Sequence, residues 1–197
     1  GGGGQPADIG WVDDVPITGI LVDADDTVWH HSDAMVQVGQ TVSLDVDADY
    51  RTILSRYHTV LHILNTLALQ HYDAWLTGAA ITTTYGRIDL AIAHLDTDMI
   101  ADLNAKMHAV IAANHAVRAY TITATEFDQR PELLRTINVK PPVYHGHIRV
   151  VEIVGFDAQA CGGTHVRQTG AIGSCEIYKT ENKGKQNKRL YVRFVPS

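Results

Sequence analysis

Two periods of apolar and polar positions divide the chain. Ile17–Val22 and Val36–Val46 alternate apolar with polar residues, as half-buried strands do. The stretch DADDTVWHHSD between them is rich in turn formers, so residues 1–48 predict a small β module. From Asp49 the period changes to that of a helix. Ile53, Leu54, Tyr57, Leu61, Leu64 and Ala68 share one face, and Asp49 is placed to cap the N-terminus. A second helix is expected after Asp96, with Met99, Ile100, Leu103, Met107, Val110 and Ile111 as its apolar stripe. Tyr85–Ile92, Val117–Thr125 and His147–Val154 read as strands, and Pro131–Arg135 as a short helix with proline in its first turn. Two further strands, Cys175–Lys179 and Leu190–Val195, are joined by the basic turn KTENKGKQNK. Residues 49–197 therefore predict an α+β unit with two main helices and a largely antiparallel sheet.

Composition changes this picture little, and charge changes it more. At 197 residues with 45% hydrophobic and 19% charged positions, the chain has the makeup of an ordinary globular protein rather than a disordered one. No apolar run is long enough to span a bilayer, and the first fifty residues hold no Lys or Arg to open a secretory signal. The expected location is cytoplasmic. Those fifty residues carry ten Asp, whereas the remainder holds all sixteen bases against twelve acids. The densest basic run lies around Lys179–Arg193, a local field suited to a polyanion on an otherwise acidic protein.

Two pairs of residues carry the candidate chemistry. His58 and His62 stand four apart on the first predicted helix, which stacks their rings one turn from each other at the border of the apolar stripe. With eleven histidines in the chain, such a pair also arises readily by chance. Cys161 and His165 are likewise four apart, in CGGTH, where the glycines let the backbone turn tightly enough for thiol and imidazole to converge. The only other cysteine is Cys175, and both are expected as free thiols. Thiolate with imidazole favours zinc over magnesium or calcium. A zinc protease of the HExxH type is excluded, because Thr59 occupies the position of its general base.

GGGGQP, YHTVLH, CGGTHV followed by TGAIG, and the lysine-rich turn, in that order, resemble the editing domain of alanyl-tRNA synthetases. They are most similar to the free-standing AlaX-type trans-editing proteins, over nearly the whole chain. The resemblance implies a zinc site at His58, His62, Cys161 and His165. It also implies a small β-barrel, here expected to be incomplete because medium-length relatives carry strands before the glycine-rich loop, followed by the α+β editing domain shared with threonyl-tRNA synthetases. The implied activity is hydrolysis of the aminoacyl ester of mischarged tRNA for alanine, carrying serine or glycine. The implied partner is the acceptor end of that tRNA, with neither DNA nor membrane. Thr59 and Gln5 are the candidates for contact with the bound amino acid, and Lys183, Lys185, Lys188 and Arg189 for contact with phosphates. A non-catalytic zinc module that binds tRNA, the same reaction on threonine tRNA, and hydrolysis of another small ester or amide stay open as alternatives.

Overall fold

The computed structural model describes residues 4–25, 27–136 and 141–196. Its axis is a 25-residue helix, α1 (Ala48–Tyr72). Asp47, rather than Asp49, is the N-cap: its backbone is extended and its carboxylate accepts the Tyr50 N–H at 2.9 Å. Asp49 falls in the first turn, where its charge faces the positive end of the helix dipole. The apolar stripe expected from the periodicity is only part of what this helix buries. Every residue from Leu54 to Ala68 except Arg56 is buried, because α1 is covered on several sides.

Among the described residues the strands form three antiparallel sheets. The central one has the order β10-β11-β6-β5, formed by β5 (Trp75–Ile81), β6 (Gly86–Ala91), β10 (Cys175–Asn182) and β11 (Lys188–Phe194). α1 packs against β5 and β6, while α2 (Thr97–Ala112), capped by Asp96 as expected, packs on α1 and β10. Leu54, Ile63, Ile88, Leu103, Met107 and Leu190 are among the side chains that fill the space between these layers. β5 has no counterpart in the sequence reading: WLTGAAI is weakly alternating and interrupted by glycine and alanine, so its pairing with β6 decides its state. The second sheet joins β7 (Val117–Thr123), β8 (His147–Ile153) and β9 (Asp157–Ala160). β7 stops at Thr123 because this residue caps α3 (Ala124–Asp128) in a capping box with Glu126. Pro131–Leu133 is a single 3-10 turn.

The N-terminal module is a four-stranded open sheet of order β3-β2-β1-β4, made of β1 (Gly10–Val12), β2 (Val15–Val22), β3 (Val28–Ser32) and β4 (Leu44–Val46). Of the strand expected over Val36–Val46 only β4 forms. Val36 and Val38 lie exposed in a loop, and β3 arises instead inside the stretch read as a turn. The Asp23 carboxylate organises that hairpin, accepting from the backbone of Asp25 and Thr27 and from the Trp29 indole. Ahead of β1, the opening loop runs beside the main body. The Gly4 carbonyl accepts the Ile81 N–H at 2.9 Å, and Asp8 pairs with Arg51 of α1. Gly1–Gly3 of the glycine-rich motif lie outside the described residues. Among the described residues no helix is long and apolar enough to cross a membrane.

Candidate metal centre

Helical spacing brings His58 and His62 onto one side of α1, and β9 delivers Cys161 to them. The β8–β9 ladder continues one step past β9, through the Cys161 N–H to the Arg149 carbonyl at 2.9 Å. Arg149 then donates from one guanidinium nitrogen to the carbonyls of Cys161 (2.8 Å) and Gly163 (2.7 Å), which folds the CGGTH loop back towards the helix. As a result His58, His62, Cys161 and His165 offer four donor atoms that all lie within 4.8 Å of one another. The Cys161 Sγ is 3.4 Å from His58 Nε2 and 3.5 Å from His165 Nε2. His58, His62 and Cys161 are buried, and His165 is partly exposed.

Hydrogen bonds behind the rings decide which nitrogen faces inward. Gln5 Oε1 accepts the Thr164 N–H at 3.1 Å, which identifies it as the carbonyl oxygen, and it lies 2.7 Å from His58 Nδ1. An oxygen of this kind only accepts, so the His58 proton sits on Nδ1 and the Nε2 lone pair points at Cys161. Thr59 repeats the device. Its hydroxyl donates to the Ser55 carbonyl at 2.9 Å, so its oxygen accepts from His165 Nδ1 at 3.1 Å and from the Val166 N–H at 3.2 Å. Two of the three imidazoles thus present a lone pair to the centre, and one thiol joins them. Such a set of three nitrogens and one sulfur, each ring oriented by an outer hydrogen bond, is fit to hold a metal ion.

The electrostatics agree. Burial, with the Arg149 charge second, pushes His58 down to about 4. Burial first, then the neighbouring rings, hold His62 and His165 well below the ordinary imidazole value. Burial also raises the Cys161 thiol. The rings are therefore neutral at pH 7, ready as ligands, and a bound cation would have to displace the thiol proton. A consequence for the metal-free protein follows from the sign of these shifts. An unfolded histidine takes up a proton near pH 6.5, whereas the buried rings resist it. Stability is therefore undiminished above pH 6.5 and falls as pH drops towards 4, by roughly 3 kcal/mol from His58 alone. Chemical denaturation of metal-free protein between pH 7.5 and 4.5 is expected to show this decline; a flat profile would contradict the buried neutral rings.

Gln5 is buried behind His58, and Thr59 is fully buried with its hydroxyl committed to three partners; both face metal-site rings rather than open space. Lys183 and Lys185 are exposed in the turn between β10 and β11. Lys188 folds back onto Asn182 Oδ1 and the Gly184 carbonyl. Arg189 makes a two-pronged pair with Asp89 at 2.6 and 2.8 Å, with its side chain only 18% exposed. Arg149, by contrast, went unremarked in the sequence; an arginine inside the apolar run of β8 was its only signal.

A cavity of about 120 Å³ opens against the centre. His58, His62 and Cys161 form one wall, and Leu76, Ala79 and Ile88 contribute an apolar one. That volume admits a small group of several heavy atoms.

Residues 148–191, from β8 through the CGGTH loop into β11, match the family model described as the threonyl and alanyl tRNA synthetase second additional domain. The match takes in Cys161 and His165, two of the four donors. Among curated proteins, the alanyl-tRNA editing protein AlaX-M of Saccharolobus solfataricus is 30% identical over the whole of this chain and 85% of its own length. The AlaX-M protein of Methanosarcina mazei is 31% identical over 81% of this chain. The alanine–tRNA ligase of Methanobrevibacter smithii is 33% identical over 91% of this chain, a match confined to 21% of the ligase. The chain belongs to the AlaX-M family of alanyl-tRNA editing proteins. It spans about two thirds of the length of several of these relatives, 64% in the Methanosarcina mazei protein.

Proposed function

We propose that the protein is a zinc-dependent deacylase that acts in trans on tRNA for alanine wrongly charged with serine or glycine, hydrolysing the aminoacyl ester. The observation that carries this reading is the small cavity walled by three of the four donors, His58, His62 and Cys161: a group bound there meets the centre directly. The names of the AlaX-M relatives supply the substrate class. The His3Cys donor set favours zinc, which when bound supplies an acidified water and polarisation of an ester carbonyl. The chain's own residues do the positioning. Gln5 and Thr59 hold the rings, Arg149 holds the loop, and the apolar wall of Leu76, Ala79 and Ile88 limits the space to a small acyl group. The exposed Lys183 and Lys185, with Lys188 beside them, offer charge to the phosphates of an acceptor stem.

A second reading has an observation of its own. Four protein donors around one point make a closed site, the type that zinc occupies when its role is structural. In that case the protein would bind tRNA without chemistry. The two readings separate in one experiment, which follows release of serine from seryl-tRNA for alanine, with and without a zinc chelator. Correctly charged alanyl-tRNA and seryl-tRNA for threonine run beside it. Expected is serine release that stops with chelator and spares alanine. Folded, zinc-loaded protein that binds the tRNA and releases nothing would establish the structural role.

A further inference from the structure

Three residues beyond His62, on the same side of α1, Asn65 lines the cavity while only 2% exposed. Its orientation is set by Gln159. The Gln159 amide nitrogen donates to the His62 carbonyl (3.2 Å) and to Thr66 Oγ1 (3.0 Å), which uses both of its hydrogens. The Gln159 oxygen then accepts from Asn65 Nδ2 at 3.1 Å. The other end of the Asn65 amide, Oδ1, is buried without any hydrogen-bond partner. Arg135 lines the same cavity. One of its terminal nitrogens is held by Asp157, and its Nε is also buried and unpartnered.

Buried polar atoms are rarely left unpaired, and each one that is calls for a reason. Here the two are complementary, an acceptor on one residue that lines the small cavity and a donor on another. An ammonium group satisfies only the acceptor and is repelled by the arginine. A carboxylate satisfies only the donor, and a methyl group satisfies neither. A hydroxyl both donates and accepts, and so matches the pair.

We propose that Asn65 Oδ1, with Arg135 Nε, receives the side-chain hydroxyl of the bound acyl group and is the specificity-determining contact for serine. This rests on the deacylase reading for its substrate, but its test does not depend on turnover. The probes are non-hydrolysable adenosines carrying seryl or 2-aminobutyryl in 3′-amide linkage. The two acyl groups differ only in hydroxyl against methyl. Binding to the metal-loaded protein is measured by calorimetry.

The unaltered protein is expected to bind the seryl probe roughly 10- to 100-fold more tightly, the scale on which a buried polar pair rejects a partner that cannot hydrogen-bond. In Asn65→Leu, close in size, the preference should shrink to within about threefold or invert, through loss of seryl affinity alone. Equal affinity of the unaltered protein for the two probes overturns the proposal even if the variant fails to fold. So does an undiminished preference in Asn65→Leu, or equal weakening of both probes, which would mark a merely structural asparagine. Preference for the seryl probe without serine release from tRNA would leave the hydroxyl contact standing and remove the deacylase reading. Binding of neither probe overturns the hydroxyl contact, while serine release from tRNA decides the deacylase reading by itself.

Discussion

Cys161→Ala protein is expected to purify with less than about a tenth of the metal carried by the unaltered chain, because its affinity should fall by more than the 10- to 100-fold typical of losing an outer-sphere partner. The reason is charge as well as a lost bond. The other three donors are imidazoles held neutral by burial, so the thiolate is the only negative group in the set. Without it a divalent ion would sit buried among neutral rings with the Arg149 guanidinium close by, its charge uncompensated. The measurement is the metal-to-protein ratio, paired with thermal unfolding in added zinc. Unaltered protein should be stabilised by zinc, since a ligand that binds only the folded state raises its stability, and the variant should not. A full complement of metal in Cys161→Ala would place the ion elsewhere.

Gly163→Ala should be almost as damaging, though it removes no donor. A Cβ built at this position would lie 2.1 Å from His58 Cε1, 2.3 Å from its Nδ1 and 2.9 Å from Gln5 Oε1. No rotamer relieves this, since a Cβ has none, so the loop or the ring must move. Either shift breaks the hydrogen bond that orients His58 and separates Nε2 from the Cys161 sulfur. The expected outcome is at least a 10-fold loss of zinc affinity, on the scale set by disturbing an outer-sphere partner. Serine release should fall at least in parallel. Gly162→Ala is the control, because a Cβ there meets only the Pro142 ring at 3.5 Å, an ordinary contact. Equal metal affinity in both variants would mean that the loop gives way more easily than its Arg149 tether suggests.

What could be read in the sequence, and what could not, divides by range. The paired donors are local: His58 with His62 through helical pitch, and Cys161 with His165 through a glycine-rich turn. The long helix announced itself by its period, although its full burial depended on layers contributed by distant segments. The residues that orient the donors act across long separations. Gln5 reaches His58 across 53 positions, and Thr59 reaches His165 across 106. Taken alone, a glutamine in an opening loop and a threonine on a helix look like residues free to touch a ligand. The Arg189 ion pair is hidden in the sequence for a similar reason. Its basic neighbourhood is visible in sequence, but its pairing depends on the β6–β11 register, which sets it opposite Asp89. In the N-terminal module, alternation at Val36 and Val38 mimicked a strand that has no partner, while Trp29 and the Asp23 turn made one where polar residues predominate.

The tie between Gln5, His58 and Thr164 also bears on time. A nascent chain brings out His58 and His62 early, both on α1, yet Cys161 and His165 follow about a hundred residues later. Until β8 and β9 have paired and Arg149 has folded the loop, the two histidines have nothing to close against, and the opening segment has no anchor at Thr164. Closure over such a separation is entropically costly and comes after local structure. The four donors therefore come together only after long-range pairing, so an ion captured there would act as a latch on structure already formed rather than as a nucleus for it.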